Sequence, residues 1–207
     1  MHSLPVISSF SKAPDVLSQW RAYADDGRGV AVGFRGLALK KMPVTLLNVE
    51  YMEPQQVLEM RAALLALYTL SDESGFAESF NRACSLLSFW KLGFKNSAFA
   101  EEQEVRCLHS LALSHESGRV RLVDEVEDKS ADGHSRIEER PVPFRIVKGA
   151  FVAYVDIPFP ALEDRGPVIK DVWIGPRHPS GENNIALLMN GCGLRDYTLN
   201  HSKASYR

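Results

Sequence analysis

Long apolar runs are missing from this chain of 207 residues: no segment approaches the roughly 20 apolar residues that a membrane helix needs. The N-terminus, MHSLPVISSFSKAPD, lacks a cationic start followed by a long apolar run, so it does not read as a secretory leader, and the protein is expected in the cytoplasm. Cysteine is scarce. Cys84, Cys107 and Cys192 are odd in number, far apart and without C-x-x-C spacing, which argues against a disulfide framework or a zinc motif; each reads as a small core residue. The six histidines are equally scattered, with no H-E-x-x-H, so no metal is expected. An excess of one charge is lacking too. The 24 Lys plus Arg stand against 26 Asp plus Glu, without the basic footprint that neutralises nucleic-acid phosphates. A G-x-S-x-G nucleophile elbow is absent, and no internal repeat of 20 to 50 residues stands out.

What is there is ordinary for a globular protein, 45% hydrophobic and 24% charged, and the length suits one domain over residues 1–207 with a substantial core. The chain is organised around residues 18–34, SQWRAYADDGRGVAVGF. Leu17, Trp20 and Ala24 form one inward helical stripe, with Ser11 and Asp15 as candidate caps before it and Gly27 as its stop. In the strand that follows, Val30, Val32 and Phe34 share one face and Ala31 and Gly33 the other, and both faces read as buried. The small-residue face admits a closely packed helix or, less often, a ligand.

Strands are also expected over 5–10, 44–51, 168–174 and 197–200, together with a hairpin of 144–147 and 150–157 turning at Lys148-Gly149. A helical hairpin covers 54–92 with a break at 71–75, and a short helix begins at Glu182 and stops before Gly191. Val105, Cys107, His109, Leu111 and Leu113 alternate as a strand. The segment 114–140 reads as a long exposed excursion that holds the short run VRLV. The fold class is α+β, with a central, mostly antiparallel sheet, a helical hairpin on one side and a long polar loop.

Chemistry is expected where FAEEQEVR, residues 99–106, enters its strand. On a strand, Glu102, Glu104 and Arg106 share one face opposite Val105 and Cys107, with the carboxylates about 7 Å apart. Arg106 would hold one carboxylate ionised while repulsion and burial raise the pKa of the other; the competing reading is an exposed ion-pair ladder worth little energy. On the upstream helix, Arg21 offers a planar fork for a phosphate or carboxylate and Tyr23 an aromatic hydroxyl, while Trp20 reads as an anchor. GRGVAVG is not a dinucleotide loop, because that motif needs a strand before it and a helix after it.

The segments VISSFSK, DVLSQWRAYADDGRGVAVGF, KNSAFAEEQEVR, PFRIVKGAFVAYV, IKDVWIGP and the terminal S-x-x-S-Y-R, in that order, closely resemble the bacterial domain-of-unknown-function family 2971 over nearly the whole chain. The order of serine-bearing strand, aromatic helix-strand unit and E-x-E also looks like that of NAD-dependent ADP-ribosyltransferases. That likeness implies a catalytic Glu104, Glu102 as its partner near the acceptor, and an NAD pocket supported by Ser9 or Ser11; Arg21, Tyr23 and Arg106 are further candidate ligand contacts by their own chemistry. The family usually carries an upstream strand and an N-D-P-x-E-like stretch that this sequence lacks, which reads as a late start, a fragment or an inactive copy. Asn96 and Ser97 stand where the family leads one to expect His and Pro. The alternative is a non-catalytic interaction module that binds a small molecule or protein, in a defence or toxin setting. A nuclease using Glu102 and Glu104 would need a further carboxylate or histidine motif.

Overall fold

The computed structural model describes residues 3–74, 76–116, 118–129, 135–159 and 167–206. Its architecture is α+β and mostly antiparallel. The long strand β4 (Glu104–Glu116) is the spine of a five-stranded sheet. Along one edge it pairs with β1 (Ser3–Ser11), from Ser3 opposite Ala112 to Ser11 opposite Glu104. It also pairs with β3 (Thr45–Asn48) near its start and with β5 (Arg119–Lys129) near its end. The strand β6 (Ser135–Pro141) completes this sheet beside β5. A second sheet sets β9 (Ile169–Ile174) between β2 (Val30–Phe34), antiparallel to it, and β10 (Thr198–His201), parallel to it.

Between β1 and β2 lies α1 (Leu17–Tyr23), whose Trp20 is 3% exposed and donates from Nε1 to Asp15 Oδ1 at 2.7 Å. Desolvation alone would raise the Asp15 pKa, but hydrogen bonds from Ser202, Trp20 and the Lys203 amide outweigh it and hold the carboxyl below its ordinary range. Asp15 thereby ties the C-terminal segment to α1, since Ser202 Oγ and the Lys203 amide donate to it at 2.5 and 2.7 Å. A short helix, α2 (Gly36–Lys40), follows β2 and buries Ala38 and Leu39. The helical hairpin is α3 (Glu53–Ser74) and α4 (Glu78–Trp90). A hydrophobic core lies on β9, where Val172 and Ile174 pack with Ile185 and Met189 of α5 (Glu182–Gly191).

Two expectations about the strands change. The segment 114–140 is not one exposed excursion: β4 runs on through Glu116, and β5 and β6 form a long antiparallel pair in which Val123 and Asp124 are buried. Charged residues occupy much of this ribbon because alternate positions of a strand face solvent, so a charge-rich stretch is compatible with strand pairing. Only residues 117 and 130–134 of that segment fall outside the described residues. The other change concerns β2. Val30 and Val32 remain 39% and 37% exposed, and the hydrogen atom of Gly33 faces Asp171, whose Oδ1 lies 2.0 Å from where a Cβ would stand. β2 is an edge strand, and a β9 side chain fills the space over its glycine.

The predicted two-residue turn is present. β7 (Phe144–Val147) and β8 (Ala150–Ala153) are joined by Lys148 and Gly149 with φ of 49° and 82°, the positive pair that such a hairpin turn requires. Cys107 is buried and Cys84 half-buried, whereas Cys192 is exposed at the end of α5 rather than in the core. Among the described residues no helix is long and apolar enough to cross a membrane.

Glycines in the organising stretch serve backbone approach. The Gly175 amide donates to the Gly29 carbonyl at 3.1 Å and the Arg177 amide to the Gly27 carbonyl at 2.9 Å. A Cβ on Gly175 would stand 2.4 Å from the Gly27 oxygen and 2.7 Å from that of Gly29, both of them backbone atoms that cannot swing aside. Gly175→Ala is therefore expected to destabilise the protein by roughly 1–3 kcal/mol, measured as the shift in a chemical denaturation midpoint. A variant as stable as the parent would show that the two turns separate freely.

Candidate functional site

A carboxylate buried at the start of β4 sets the geometry. Glu104 is 6% exposed, and its four acceptor directions are all used. Ser9 Oγ donates to Oε1 at 2.5 Å, Arg106 Nε to Oε1 at 2.9 Å, Arg106 Nη2 to Oε2 at 3.3 Å, and Lys95 Nζ to Oε2 at 3.0 Å. Strand alternation accounts for half of this. Ser9 of β1 sits opposite Arg106, two positions from Ser11 opposite Glu104, with Phe10 and Val105 between them turned to the other face. Arg106 also donates through Nη1 to the Leu92 carbonyl, and the Glu104 amide donates to Tyr51 Oη at 2.8 Å.

Glu102 arrives differently from the sequence expectation. It is not on the strand but ends a 3-10 helix (Ser97–Glu102) that Asn96 caps by accepting from the Ala98 amide at 2.9 Å. Gln103 then adopts a left-handed conformation, φ 45° and ψ 50°, before β4 begins. This turn carries Glu102 over to Lys95, which donates to Glu102 Oε2 at 2.5 Å and to Glu104 Oε2 at 3.0 Å. The two carboxylates are thus bridged by one ammonium, and the exposed-ladder reading fails because every member of the cluster is at least four-fifths buried at its side chain.

Electrostatics follow from the contacts. Desolvation alone would raise the Glu104 pKa, but hydrogen bonds from Arg106, Ser9 and Lys95 outweigh it and hold the carboxyl at about 2. Desolvation would lower the Lys95 pKa, yet its bonds to Glu102 and Glu104 raise it. Tyr23 Oη lies 3.2 Å from Glu102 Oε1, and desolvation together with the Glu102 charge pushes the phenol up.

These groups line a cleft of about 310 Å³ whose walls include Ser9, Tyr23, Lys95, Glu102 and Glu104. Of the residues expected to form a site, Ser9, Ser11, Tyr23, Glu102, Glu104 and Arg106 converge here. Ser11 serves the frame: its Oγ lies 2.6 Å from the Glu102 carbonyl and accepts from the Ala13 amide and Gln19 Nε2. Arg21 does not converge. Its guanidinium stacks 5.1 Å from the Tyr206 ring centroid, with Arg177 4.9 Å from the same ring, because positions 21 and 23 of a helix point to different sides. Lys95 and Gln19 also line the cleft, beyond the residues that the sequence singles out. No local pattern marks Lys95, because only the 3-10 turn makes it the neighbour of both glutamates.

Other reactive groups lie elsewhere. Cys107 and His109 share a face of β4, but both imidazole nitrogens face acceptors, Asp124 Oδ1 at 2.7 Å and the Pro43 carbonyl at 3.3 Å, and burial pushes the thiol up. Among the described residues no group of three or more His, Cys, Asp or Glu is placed to hold a metal ion.

Fold and site together define an α+β protein with a hydroxyl-lined cleft over a cation-bridged pair of glutamates. Residues 19–107 match the family described as protein of unknown function (DUF2971), a span from α1 to β4 that holds Tyr23, Lys95, Glu102, Glu104 and Arg106. No curated protein and no solved structure matches the chain.

The depressed Glu104 pKa makes an acid-stability prediction. Ionised Glu104 stabilises the fold above its ordinary pKa of 4.5, and that contribution is lost as pH falls toward about 2. Glu104→Gln is expected to cost about 3 kcal/mol at neutral pH and to flatten the stability-versus-pH curve across that window. Parallel curves for parent and variant in urea titrations from pH 5 to 2 would contradict it.

Proposed function

We propose that the protein is an NAD-using, ADP-ribosyltransferase-like enzyme of the bacterial cytoplasm, or an inactive remnant of one. The observation that carries this reading is the buried, cation-bridged pair Glu102–Lys95–Glu104 facing Ser9 and Tyr23 in one concave cleft. Its charges nearly cancel, and its lining is hydroxyl and carboxylate, which suits a ribose bearing a cationic ring better than a bare anion. A volume of about 310 Å³ accommodates the nicotinamide-ribose end and not a whole dinucleotide.

In this reaction the glycosidic bond to nicotinamide breaks with its electron pair leaving on the ring nitrogen, and an oxocarbenium-like ribose develops. An acceptor nucleophile, or water in hydrolysis, forms the new bond to that carbon and gives up a proton. Fixed carboxylate charge stabilises the developing cation. Glu104 supplies the permanent charge at the cleft floor. Glu102 keeps more acceptor capacity, with only Lys95 and Tyr23 bonded to its side chain, and so is the carboxylate better able to meet a ribose hydroxyl. Arg106 and Ser9 hold Glu104 in place, and Tyr23, 71% exposed, offers its ring at the mouth.

The test is titration of the full chain with NAD, followed by assay of nicotinamide release. Binding is expected, and turnover if the enzyme is intact. Glu102→Gln should then lower turnover roughly 100- to 1000-fold while the variant, its Lys95 still paired with Glu104, stays folded at the assay temperature by circular dichroism. A chain that neither binds nor consumes NAD would remove the proposal. That result would leave the second reading, a non-catalytic interaction module, which is favoured by the helical hairpin: α4 buries no residue, and Leu58, Leu64, Leu65, Tyr68 and Leu86 are each more than half exposed.

A further inference from the structure

A second and larger cleft opens on the opposite face of β1, between the two sheets. It measures about 700 Å³, within the range of small-molecule sites, and shares Phe10 and Ser11 with the glutamate cleft. Its floor is apolar: Phe10 of β1, Val105 of β4, Leu46 of β3, and Val32 and Phe34 of β2. Phe10 and Phe34 meet edge to face, with centroids 5.7 Å apart and planes at 85°. Its rim is cationic. Lys12 follows β1, Lys40 ends α2 and Lys170 lies in β9, so three lysines from three elements converge on one apolar hollow.

The one acid in the lining does not cancel them. Asp171 pairs with Lys170 at 3.6 Å and lies against Gly33, while Lys12 and Lys40 have no ion-pair partner among the described residues. An apolar ligand alone would gain nothing from the lysines, and a bare phosphate nothing from the floor. Asn48, also in the lining and on the same cross-strand row as Val105 and Phe10, carries an amide donor and acceptor, as the edge of a heterocyclic base requires.

We propose that this inter-sheet cleft binds a nucleoside phosphate, with the base on the Phe10–Phe34 floor and the phosphates on Lys12, Lys40 and Lys170. The site goes beyond the transferase reading and does not depend on it, since a binding module without turnover would use the same cleft.

The probe is ADP, titrated calorimetrically into the full chain, with adenosine and pyrophosphate as partial ligands. ADP is expected to bind more tightly than either part. The double variant Lys12→Ala/Lys40→Ala should weaken ADP by about tenfold or more, as befits two lost charge-assisted contacts. Val32→Trp, which fills the cleft from a position already 37% exposed, should abolish binding. Glu102→Gln, on the other face of β1, should leave ADP affinity within about twofold. The lysines are exposed, so the double variant keeps the test open if the tryptophan variant does not fold. Failure of ADP to bind, pyrophosphate binding as tightly as ADP, or indifference to the lysine variant would each overturn the site. ADP binding without NAD turnover would leave this site standing and remove the transferase. NAD turnover unchanged by Val32→Trp, with no ADP binding, would do the reverse.

Discussion

Burying a carboxylate is expensive unless its charge and its lone pairs are satisfied, and Glu104 makes that demand of much of the molecule. Its partners come from four separate places in the chain: Ser9 from β1, Lys95 from the segment after α4, Arg106 from β4 itself, and Tyr51 on its own amide. Arg106 in turn reaches the Leu92 carbonyl, so the end of the helical hairpin is tied to the sheet through the same charge. Loss of Lys95 or Arg106 leaves a buried carboxylate short of counter-charge, and loss of Ser9 leaves one of its lone pairs without a donor. The first strand, the hairpin exit and the sheet spine are therefore held in a single relative arrangement at this point.

That arrangement also sorts the chemistry between two faces. Because side chains alternate along β1, Ser9 and Ser11 stand with the glutamates while Phe10 stands with Val105 over the inter-sheet hollow. One face is a small polar cleft with balanced charge, and the other a larger apolar cleft with a cationic rim. The site is built less on the organising helix-turn-strand than its sequence suggested. That unit contributes Gln19 and Tyr23 to the cleft, sends Arg21 to Tyr206, and uses its glycines to admit the β9 turn at Gly175.

Much of the fold was legible because it rests on local rules. The alternation from Val105 to Leu113 marked β4, the helical spacing on either side of residue 75 marked the hairpin, and Lys148-Gly149 marked a turn that only positive φ can close. Charge hid one stretch. Residues 114–140 read as a loop because they are charged, yet β5 pairs antiparallel with the strands just before and just after it in the chain, and its charges occupy positions that a two-sided ribbon leaves to solvent. Within the site, Glu104 and Arg106 were correctly placed on one strand face, whereas Glu102 was given strand geometry that the left-handed Gln103 interrupts.

By itself the sequence determined which residue types were present, their periodicity, and so the α+β class, the E-x-E-x-R spacing and the neighbourhood of Ser9 and Ser11. Tertiary structure alone decided that Glu104 is buried, that Lys95 bridges it to Glu102, and that Arg21 turns away. The physical reason is range. Periodicity and turn chemistry act over a few residues, but the solvation of a charge depends on whatever the whole chain brings within a few ångströms of it, and Ser9 and Glu104 are 95 residues apart.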